Sequence, residues 1–164
     1  MSERGEVLTW ERFGEATRAL AEAVYADGYR PDIVLAVARG GLLPAGAISY
    51  LLGVKNVFTM NVEFYTGVDE RLAMPVMLPP ILNAIDMKGE RVLVVDDIAD
   101  TGRTLQLVLD FCRDHVEDVR SAVLYAKPGS VVRCDYVWAS ADAWITFPWD
   151  RSVVEESRQG AAEA

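Results

Sequence analysis

The sequence has few of the residues that form disulfides or bind structural metals. Its 164 residues include two cysteines, Cys112 and Cys134, and one histidine, His115. The cysteines belong to no CxxC pair and no Cys/His cluster, so neither a disulfide framework nor a structural zinc site is expected. His115 falls at the end of a predicted helix, where we expect no catalytic role. This cysteine usage is typical of a protein of the reducing cytoplasm.

The sequence also lacks a long apolar run and a surplus of positive charge. Its most apolar window, residues 40–54, contains Pro44 and is shorter than the roughly 18 to 20 residues of a membrane-spanning helix. Acidic residues outnumber basic ones by 25 to 16, and the formal net charge is −9. We therefore expect no membrane span and no nucleic-acid partner. An acidic protein that binds an anionic small molecule needs helix N-termini, a few placed cations or a metal ion.

What the chain does contain is an alternation of apolar strands and amphipathic helices. Thr9 can cap the first helix, which ends near Gly28. The continuous apolar run at residues 33–38 is typical of a strand buried on both faces, and residues 91–95 give the strongest signal for a buried strand. The pattern predicts an α/β fold with a mainly parallel central sheet and helices on both faces, in one domain of residues 1–150. Further strands are predicted at 56–64, 121–126 and 135–139, helices at 42–52 and 104–115, a loop or loose hairpin at 65–88, and a frayed tail at 151–164.

The segment Val92–Leu105, VLVVDDIADTGRTL, carries the most informative chemistry. Asp96 and Asp97 end a buried strand, and their carboxylates can accept hydrogen bonds from ribose hydroxyls, directly or through a metal ion. The loop of residues 99–104 then opens a helix, and it offers backbone amides, hydroxyls and a helix N-terminus to a phosphate. Gly102 allows close approach of the backbone. This arrangement suits a sugar phosphate.

Other interpretations of this acidic segment fit less well. A phosphate-binding P-loop requires GxxxxGK[ST], and a dinucleotide fold requires GxGxxG after a strand; neither occurs. A receiver domain can place an acidic pair after its first strand, but too little chain follows Asp97 to complete one. A purely structural acidic turn that caps a helix explains Asp100 and Thr101 but not the remaining positions.

A second loop joins a buried strand to a helix at Arg39-Gly40-Gly41. Its glycines can expose backbone amides, and Arg39 offers a charge to a phosphate group. In an α/β sheet the carboxyl ends of parallel strands lie at one edge, so we expect this loop to lie near Asp96 and Asp97.

The central segment resembles the phosphoribosyl-pyrophosphate signature of type I phosphoribosyltransferases: four hydrophobic residues, two acids, a short step, Asp-Thr-Gly and a second Thr. The resemblance implies the type I fold with a small C-terminal hood. It assigns the ribose hydroxyls and Mg²⁺ to Asp96 and Asp97, and a base proton to Asp100 as the catalytic residue. It assigns the pyrophosphate to Arg39, Gly40 and Gly41, often with an unusual peptide geometry between the residues matching Arg39 and Gly40. The 5-phosphate is assigned to Ala99, Asp100, Thr101, Gly102, Arg103 and Thr104.

The hood, about residues 127–150, is similar to that of the 6-oxopurine enzymes, especially the bacterial xanthine-guanine group. The similarity is carried by Ala126-Lys127-Pro128 and by the segment AWITFPWD at residues 143–150. It implies that Lys127 donates to the purine 6-oxygen and that Trp144 stacks on the ring. Ile145 would contribute backbone contacts to the 2-position, and Asp150 would help to hold a second magnesium ion through water.

The resemblance implies an enzyme that transfers ribose 5-phosphate from phosphoribosyl pyrophosphate to N9 of guanine, xanthine or hypoxanthine. It also implies a homodimer or homotetramer, and the apolar stretch at residues 74–82 is a candidate interface. The sequence departs from the family where Phe64-Tyr65 stands in place of a Ser-Tyr pair, and Arg71 and Lys88 are the only cations of the adjoining segment. A regulator that binds the donor or a nucleotide without turnover stays open as an alternative, as does a pyrimidine phosphoribosyltransferase.

Overall fold

The centre of the molecule is a six-stranded sheet with the strand order β4-β3-β2-β5-β6-β7. The computed structural model describes residues 5–66, 73–78, 87–151 and 153–155. The elements are β1 (Glu6–Val7), α1 (Trp10–Ala26), β2 (Ile33–Ala38), α2 (Leu42–Leu52), β3 (Asn56–Thr66), β4 (Ala73–Leu78), β5 (Arg91–Ala99), α3 (Arg103–Arg113), β6 (Asp118–Ala126), β7 (Tyr136–Ser140) and β8 (Ile145–Thr146).

The sheet is parallel except at β4, which runs antiparallel to β3. β2 and β5 lie side by side at its centre, with Ile33 opposite Val92 and Ala36 opposite Val95. Their apolar runs are buried on both faces, which accounts for their lack of hydrophobic alternation. The predicted mainly parallel α/β fold is therefore confirmed.

Helices cover both faces of this sheet. α1 and α2 pack on one face, where Leu20 and Ile48 join Leu93 in one hydrophobic core. α3 packs on the other face, where Leu105 joins Val94 in a second core. Successive residues of β5 point to opposite faces, so a single strand contributes to both cores. The described residues include no helix long and apolar enough to cross a membrane.

The hood contains a second, two-stranded parallel sheet formed by β1 and β8. The sequence predicted a hood from residues 127–150 alone and missed the contribution of the N-terminal strand. Aromatic contacts attach the hood to α1: Trp149 stacks on Phe147, with ring centroids 4.9 Å apart, and makes an edge-to-face contact with Phe13 of α1 at 5.4 Å. The backbone at residues 151 and 153–155 is helical, which differs from the frayed tail predicted from residue 151 onward.

Several predicted boundaries shift in the structure. β3 extends to Thr66 because its end pairs with β4. Of the two alternatives predicted for residues 65–88, a loop or a loose hairpin, the described part forms the hairpin. β5 continues past residue 95 to Ala99, and α3 spans Arg103–Arg113 instead of 104–115. Residues 67–72 and 79–86, and with them Arg71 and part of the predicted 74–82 interface, lie outside the described residues.

Candidate active site

The two loops singled out in the sequence meet at the carboxyl edge of the sheet. β2 ends at Ala38 and β5 at Ala99, and the two strands are direct neighbours in parallel register. A Cβ atom on Gly40 would overlap the carboxylate of Asp97. Glycine at this position therefore lets the acidic residue lie directly against the first loop, and no other residue type fits without a shift.

The side chains of Asp96 and Asp97 are both withdrawn from most of the solvent at the end of β5. Asp96 is only 8% exposed, and its Oδ1 accepts a hydrogen bond from the Asp97 backbone N–H at 2.9 Å. The Ile98 N–H donates to Asp97 Oδ1 at 2.7 Å. Burial, together with the neighbouring Asp97 charge, raises the pKa of Asp96 well above its usual value. Burial also raises the pKa of Asp97, with a contribution from Asp150. A hydroxyl donor or a cation at this pair would relieve the concentrated negative charge.

The loop after β5 turns sharply before α3 begins. Gly102 is the N-cap of α3 and has a φ of +77°, in the left-handed region that favours glycine. The Arg103 N–H lies 3.4 Å from Thr101 Oγ1. A Cβ atom on Gly102 would overlap Ser130 Oγ and would lie 3.0 Å from Val132 N. The glycine is thus required for packing against residues 130–132, a reason that the sequence did not indicate.

The Arg39-Gly40-Gly41 loop has a different backbone from the one expected. A cis peptide bond joins Ala38 to Arg39, one bond before the position that the resemblance suggested. The Gly41 N–H donates to the Val37 carbonyl at 2.8 Å, and a Cβ atom on Gly41 would overlap the carbonyls of Val95 and Val37. Gly41 therefore serves tight packing, and its amide is not open to an anion as the sequence suggested. Arg39 is exposed.

In the described part of the chain, residues of these two loops line two clefts. The first, which we call the arginine cleft, has a volume of about 610 Å³ and is lined by Arg39, Gly40, Leu42, Leu43, Asp97, Trp149, Asp150 and Arg151. The second, the loop cleft, has a volume of about 330 Å³ and is lined by Val37, Ala38, Val62, Asp96, Ile98, Ala99, Asp100, Thr101, Gly102, Thr104 and Leu105. The acidic pair is divided between them, since Asp97 lines one cleft and Asp96 the other.

The residues present are suited to a magnesium ion that is bound together with a phosphorylated ligand. Asp97 and Asp150 both line the arginine cleft. Among the described residues, no group of three or more His, Cys, Asp or Glu side chains could hold a metal ion unaided. Mg²⁺ typically binds one or two carboxylates and completes its shell with water and substrate phosphate. Asp96 differs from the other two acids because it faces the loop cleft.

Lys127 is held beside the loop cleft by the loop that lines it. Its Nζ lies 3.3 Å from Asp100 Oδ1, and its backbone N–H donates to the Ala99 carbonyl at 3.0 Å. The Val131 N–H donates to the Thr101 carbonyl at 2.9 Å. The predicted base-reading lysine and the predicted phosphate loop therefore form one hydrogen-bonded unit.

Trp144 and Ile145 lie where β8 begins. The side chain of Trp144 is 72% exposed, so a ring face is open to stacking, whereas the Ile145 side chain is buried in the core. The Glu6 and Leu8 N–H groups donate to the carbonyls of Trp144 and Thr146. In a parallel ladder this leaves the N–H and C=O of Ile145 on the edge of β8 that faces away from β1. Neither Trp144 nor Ile145 lines the two clefts.

Sequence reasoning missed residues that the structure brings to the site. Arg151 and Trp149 line the arginine cleft and Val62 lines the loop cleft, while Ser130 packs against Gly102. For Arg151 a signal existed, since it directly follows Asp150, but the polar tail obscured it. Ser130 has no comparable signal, because its contact depends on the fold.

Comparisons with known proteins support the likeness drawn from the motifs. Residues 3–156 match the family model described as a phosphoribosyl transferase domain. A xanthine-guanine phosphoribosyltransferase from Idiomarina loihiensis is 36% identical over 91% of this chain and 89% of its own length.

Solved structures of phosphoribosyltransferases are also similar to this chain. A purine phosphoribosyltransferase from Pyrococcus horikoshii is 37% identical with a TM-score of 0.79, over 88% of this chain and 93% of that one. A xanthine-guanine-hypoxanthine phosphoribosyltransferase from Helicobacter pylori is 23% identical with a TM-score of 0.78, over 94% of this chain and 99% of that one. At that lower identity the second structure bears on the fold alone.

Proposed function

The chain belongs to the phosphoribosyltransferases, and we propose that it transfers ribose 5-phosphate from phosphoribosyl pyrophosphate to N9 of a 6-oxopurine. The observation that carries this proposal is the unit formed by the phosphate loop and Lys127. Asp100 and Lys127 lie 3.3 Å apart, so a proton acceptor and a donor suited to a purine carbonyl stand side by side. The proposed products are a purine nucleotide and pyrophosphate, as in purine salvage.

We assign the two ends of the donor to the two clefts. The 5-phosphate would bind in the loop cleft, where residues 99–104 surround the N-terminus of α3. The pyrophosphate would bind in the arginine cleft beside Arg39 and Gly40. Asp96 and Asp97 would then accept hydrogen bonds from the ribose hydroxyls between the clefts. Because Gly41 uses its N–H within the fold, we assign it a packing role within the pyrophosphate loop.

The proposed chemistry exchanges one bond at C1 of the ribose for another. The bond from C1 to the pyrophosphate oxygen breaks, and its electron pair leaves with pyrophosphate. The N9 lone pair of the base forms the new bond to C1, and the proton on N7 passes to Asp100 as general base. Asp96, Asp97 and Asp150 are the residues that would hold magnesium, which would supply positive charge to stabilise the leaving group.

We propose that Lys127 selects the base and that Trp144 stacks on it. An ammonium group donates hydrogen bonds only, so Lys127 favours a carbonyl over an amino group at the purine 6-position. Stacking of a base on Trp144 would contribute about 1 to 3 kcal/mol with little preference among bases. The outward-facing backbone of Ile145 would contact the 2-position. Backbone contacts of this kind accept guanine, xanthine and hypoxanthine.

Turnover of separate bases tests the proposal. The protein is incubated with phosphoribosyl pyrophosphate, magnesium and one base at a time: guanine, xanthine, hypoxanthine, adenine, orotate or uracil. We expect pyrophosphate release with 6-oxopurines only. Tight donor binding without release from any base would support the regulator instead, and release with orotate or uracil alone would support the pyrimidine enzyme.

A Lys127→Ala variant tests the choice of base more directly. We expect kcat/KM for 6-oxopurines to fall roughly 10- to 100-fold, because a charge-assisted hydrogen bond contributes about 1.5 to 3 kcal/mol. Arg133→Ala is the matched control, since it removes a nearby exposed cation of the same loop. Unchanged 6-oxopurine kinetics in the Lys127 variant would remove the reason for choosing purines.

We also propose that the protein is a homo-oligomer that associates through the outer face of α2. This helix, LLPAGAISYLL, has no charged residue, although the chain carries a net charge of −9. Tyr50 is 91% and Leu51 52% exposed, and Leu42 and Leu43 are each more than 40% exposed. We propose that a second copy of the chain binds this face. Two acidic molecules repel each other least when they meet through surfaces that carry no charged side chains.

A further inference from the structure

The arginine cleft contains a cation that the family signature does not predict. Arg39 lines one part of the cleft, from the loop after β2, and Arg151 lines it from the residue after Asp150. Among the described residues that line the cleft, these two side chains are the only cations, and the only anions are Asp97 and Asp150. The charges of these described residues therefore sum to about zero.

A pyrophosphate group would change this balance. It brings several negative charges into a cleft that already contains two carboxylates, in a protein whose net charge is −9. Magnesium would offset the carboxylates. Without Arg151, Arg39 would then be the one described cation of the cleft to face the phosphate oxygens. A second guanidinium within reach would add bidentate hydrogen bonds as well as charge.

In the described structure Arg151 has a partner of its own. Its Nε lies 2.7 Å from Glu155 Oε1, one helical turn along the chain, and the two side chains are 89% and 54% exposed. Exposed ion pairs of this spacing stabilise a protein very little. Glu155 can therefore hold the arginine near the cleft and yet be replaced by a ligand of higher charge.

We infer that Arg151 is a further donor-binding residue, which exchanges Glu155 for the pyrophosphate group when the donor binds. This inference rests on the proposed function, since it names an additional residue of the same donor site. It makes Glu155 a competitor of the donor, because its carboxylate pairs with the guanidinium in the free protein. The same contact would bind the product pyrophosphate before its release.

Steady-state kinetics of four variants test the inference. For Arg151→Ala we expect the KM for phosphoribosyl pyrophosphate and the inhibition constant of added pyrophosphate to rise together, by about tenfold. The KM for the base and kcat should stay within about twofold. Arg151→Lys should show a smaller rise, because a lysine keeps the charge but lacks the planar fork. Glu155→Gln should lower both constants by about twofold, because the competing carboxylate is gone.

The control is Arg113→Ala, which removes an arginine that is likewise ion-paired on a helix surface, to Asp110, and lines neither cleft. It should leave the donor KM unchanged. Thermal unfolding checks that the variants fold, and Glu155→Gln carries the test if Arg151→Ala does not fold. If the wild-type protein turns over and Arg151→Ala has an unchanged donor KM, this inference is wrong and the proposed function stands. The same holds if only Glu155→Gln folds and its donor KM is unchanged. Absence of wild-type turnover with every base would overturn both.

Discussion

At the scale of single residues, the site is built from groups whose positions cost stability. The overlap that a Cβ atom on Gly40 would create with Asp97 shows how closely the acidic pair is packed against the neighbouring loop. Asp96 is almost fully buried and accepts a hydrogen bond from its own neighbour. A carboxylate held in this way is favourable only when a hydroxyl donor or a cation reaches it.

This cost makes Asp96→Asn a stabilising change in the ligand-free protein. Asn keeps an oxygen that can accept from the Asp97 N–H but carries no charge, so we expect the free energy of unfolding to rise by about 1 to 3 kcal/mol at pH 7. Turnover should fall strongly because the ribose contact is weakened. Urea unfolding monitored by circular dichroism gives the first quantity, and the base assay gives the second.

The pH dependence of the same variant has a definite sign. Burial raises the pKa of Asp96 in the folded state, so the folded protein binds more protons than the unfolded chain above the ordinary aspartate pKa of about 4. This part of wild-type stability is present at low pH and is lost as pH rises through the folded-state pKa. The gain from Asp96→Asn should therefore be larger at pH 7 than at pH 4. Asp110→Asn, at an exposed site on α3, is the control; an equal gain at both pH values would contradict the burial argument.

At the scale of elements, one turn supports the loop that is proposed to hold the 5-phosphate. Ser130 Oγ accepts from the Val132 N–H at 3.2 Å and donates to the Val132 carbonyl at 3.0 Å. These bonds fix a turn against which Gly102 packs, and the Val131 N–H ties the same turn to Thr101. The position of the phosphate loop thus depends on a segment about 30 residues further along the chain.

We expect Ser130→Ala to raise the KM for phosphoribosyl pyrophosphate about three- to tenfold and to lower the free energy of unfolding by about 1 kcal/mol, the contribution of one hydrogen bond. Ser130→Thr keeps the hydroxyl and should restore most of the donor affinity. Ser140→Ala, at the exposed end of β7, is the control. A loss of stability with an unchanged donor KM would show that the turn stabilises the fold without positioning the loop.

The elements that were predicted well are those whose signal is local. The runs that form β2 and β5 are continuous and β-branched, and β2 has the predicted bounds, Ile33–Ala38. The acidic pair and the glycine turn follow from the Val92–Leu105 segment alone. β1 could not be predicted, because two residues of strand have no periodicity and their order depends on pairing with β8. For the same reason the packing roles of Gly41 and Gly102 emerged only with their distant neighbours in place.

At the scale of the whole molecule, the outer face of α2 is the feature that a single chain leaves unexplained. An amphipathic helix presents its polar face to water, whereas this helix is apolar on every side and begins directly after the Arg39-Gly40-Gly41 loop. Leu42 and Leu43 line the arginine cleft as well. An interface on this face would therefore connect the assembly of the protein to the shape of its donor site.

We expect the wild-type protein to have a mass of at least two 18.1 kDa chains at micromolar concentration, as measured by light scattering after gel filtration. Tyr50→Glu should give a single chain, because association would bury an unpaired carboxylate on the apolar face. Tyr25→Glu, at a tyrosine of α1 that is 64% exposed, is the matched control and should keep the wild-type mass. If the interface also supports Leu42 and Leu43, the Tyr50 variant should show a raised KM for the donor with an unchanged KM for the base. A wild-type mass of one chain would refute the proposed interface, whereas loss of assembly with unchanged donor kinetics would refute only its link to the arginine cleft.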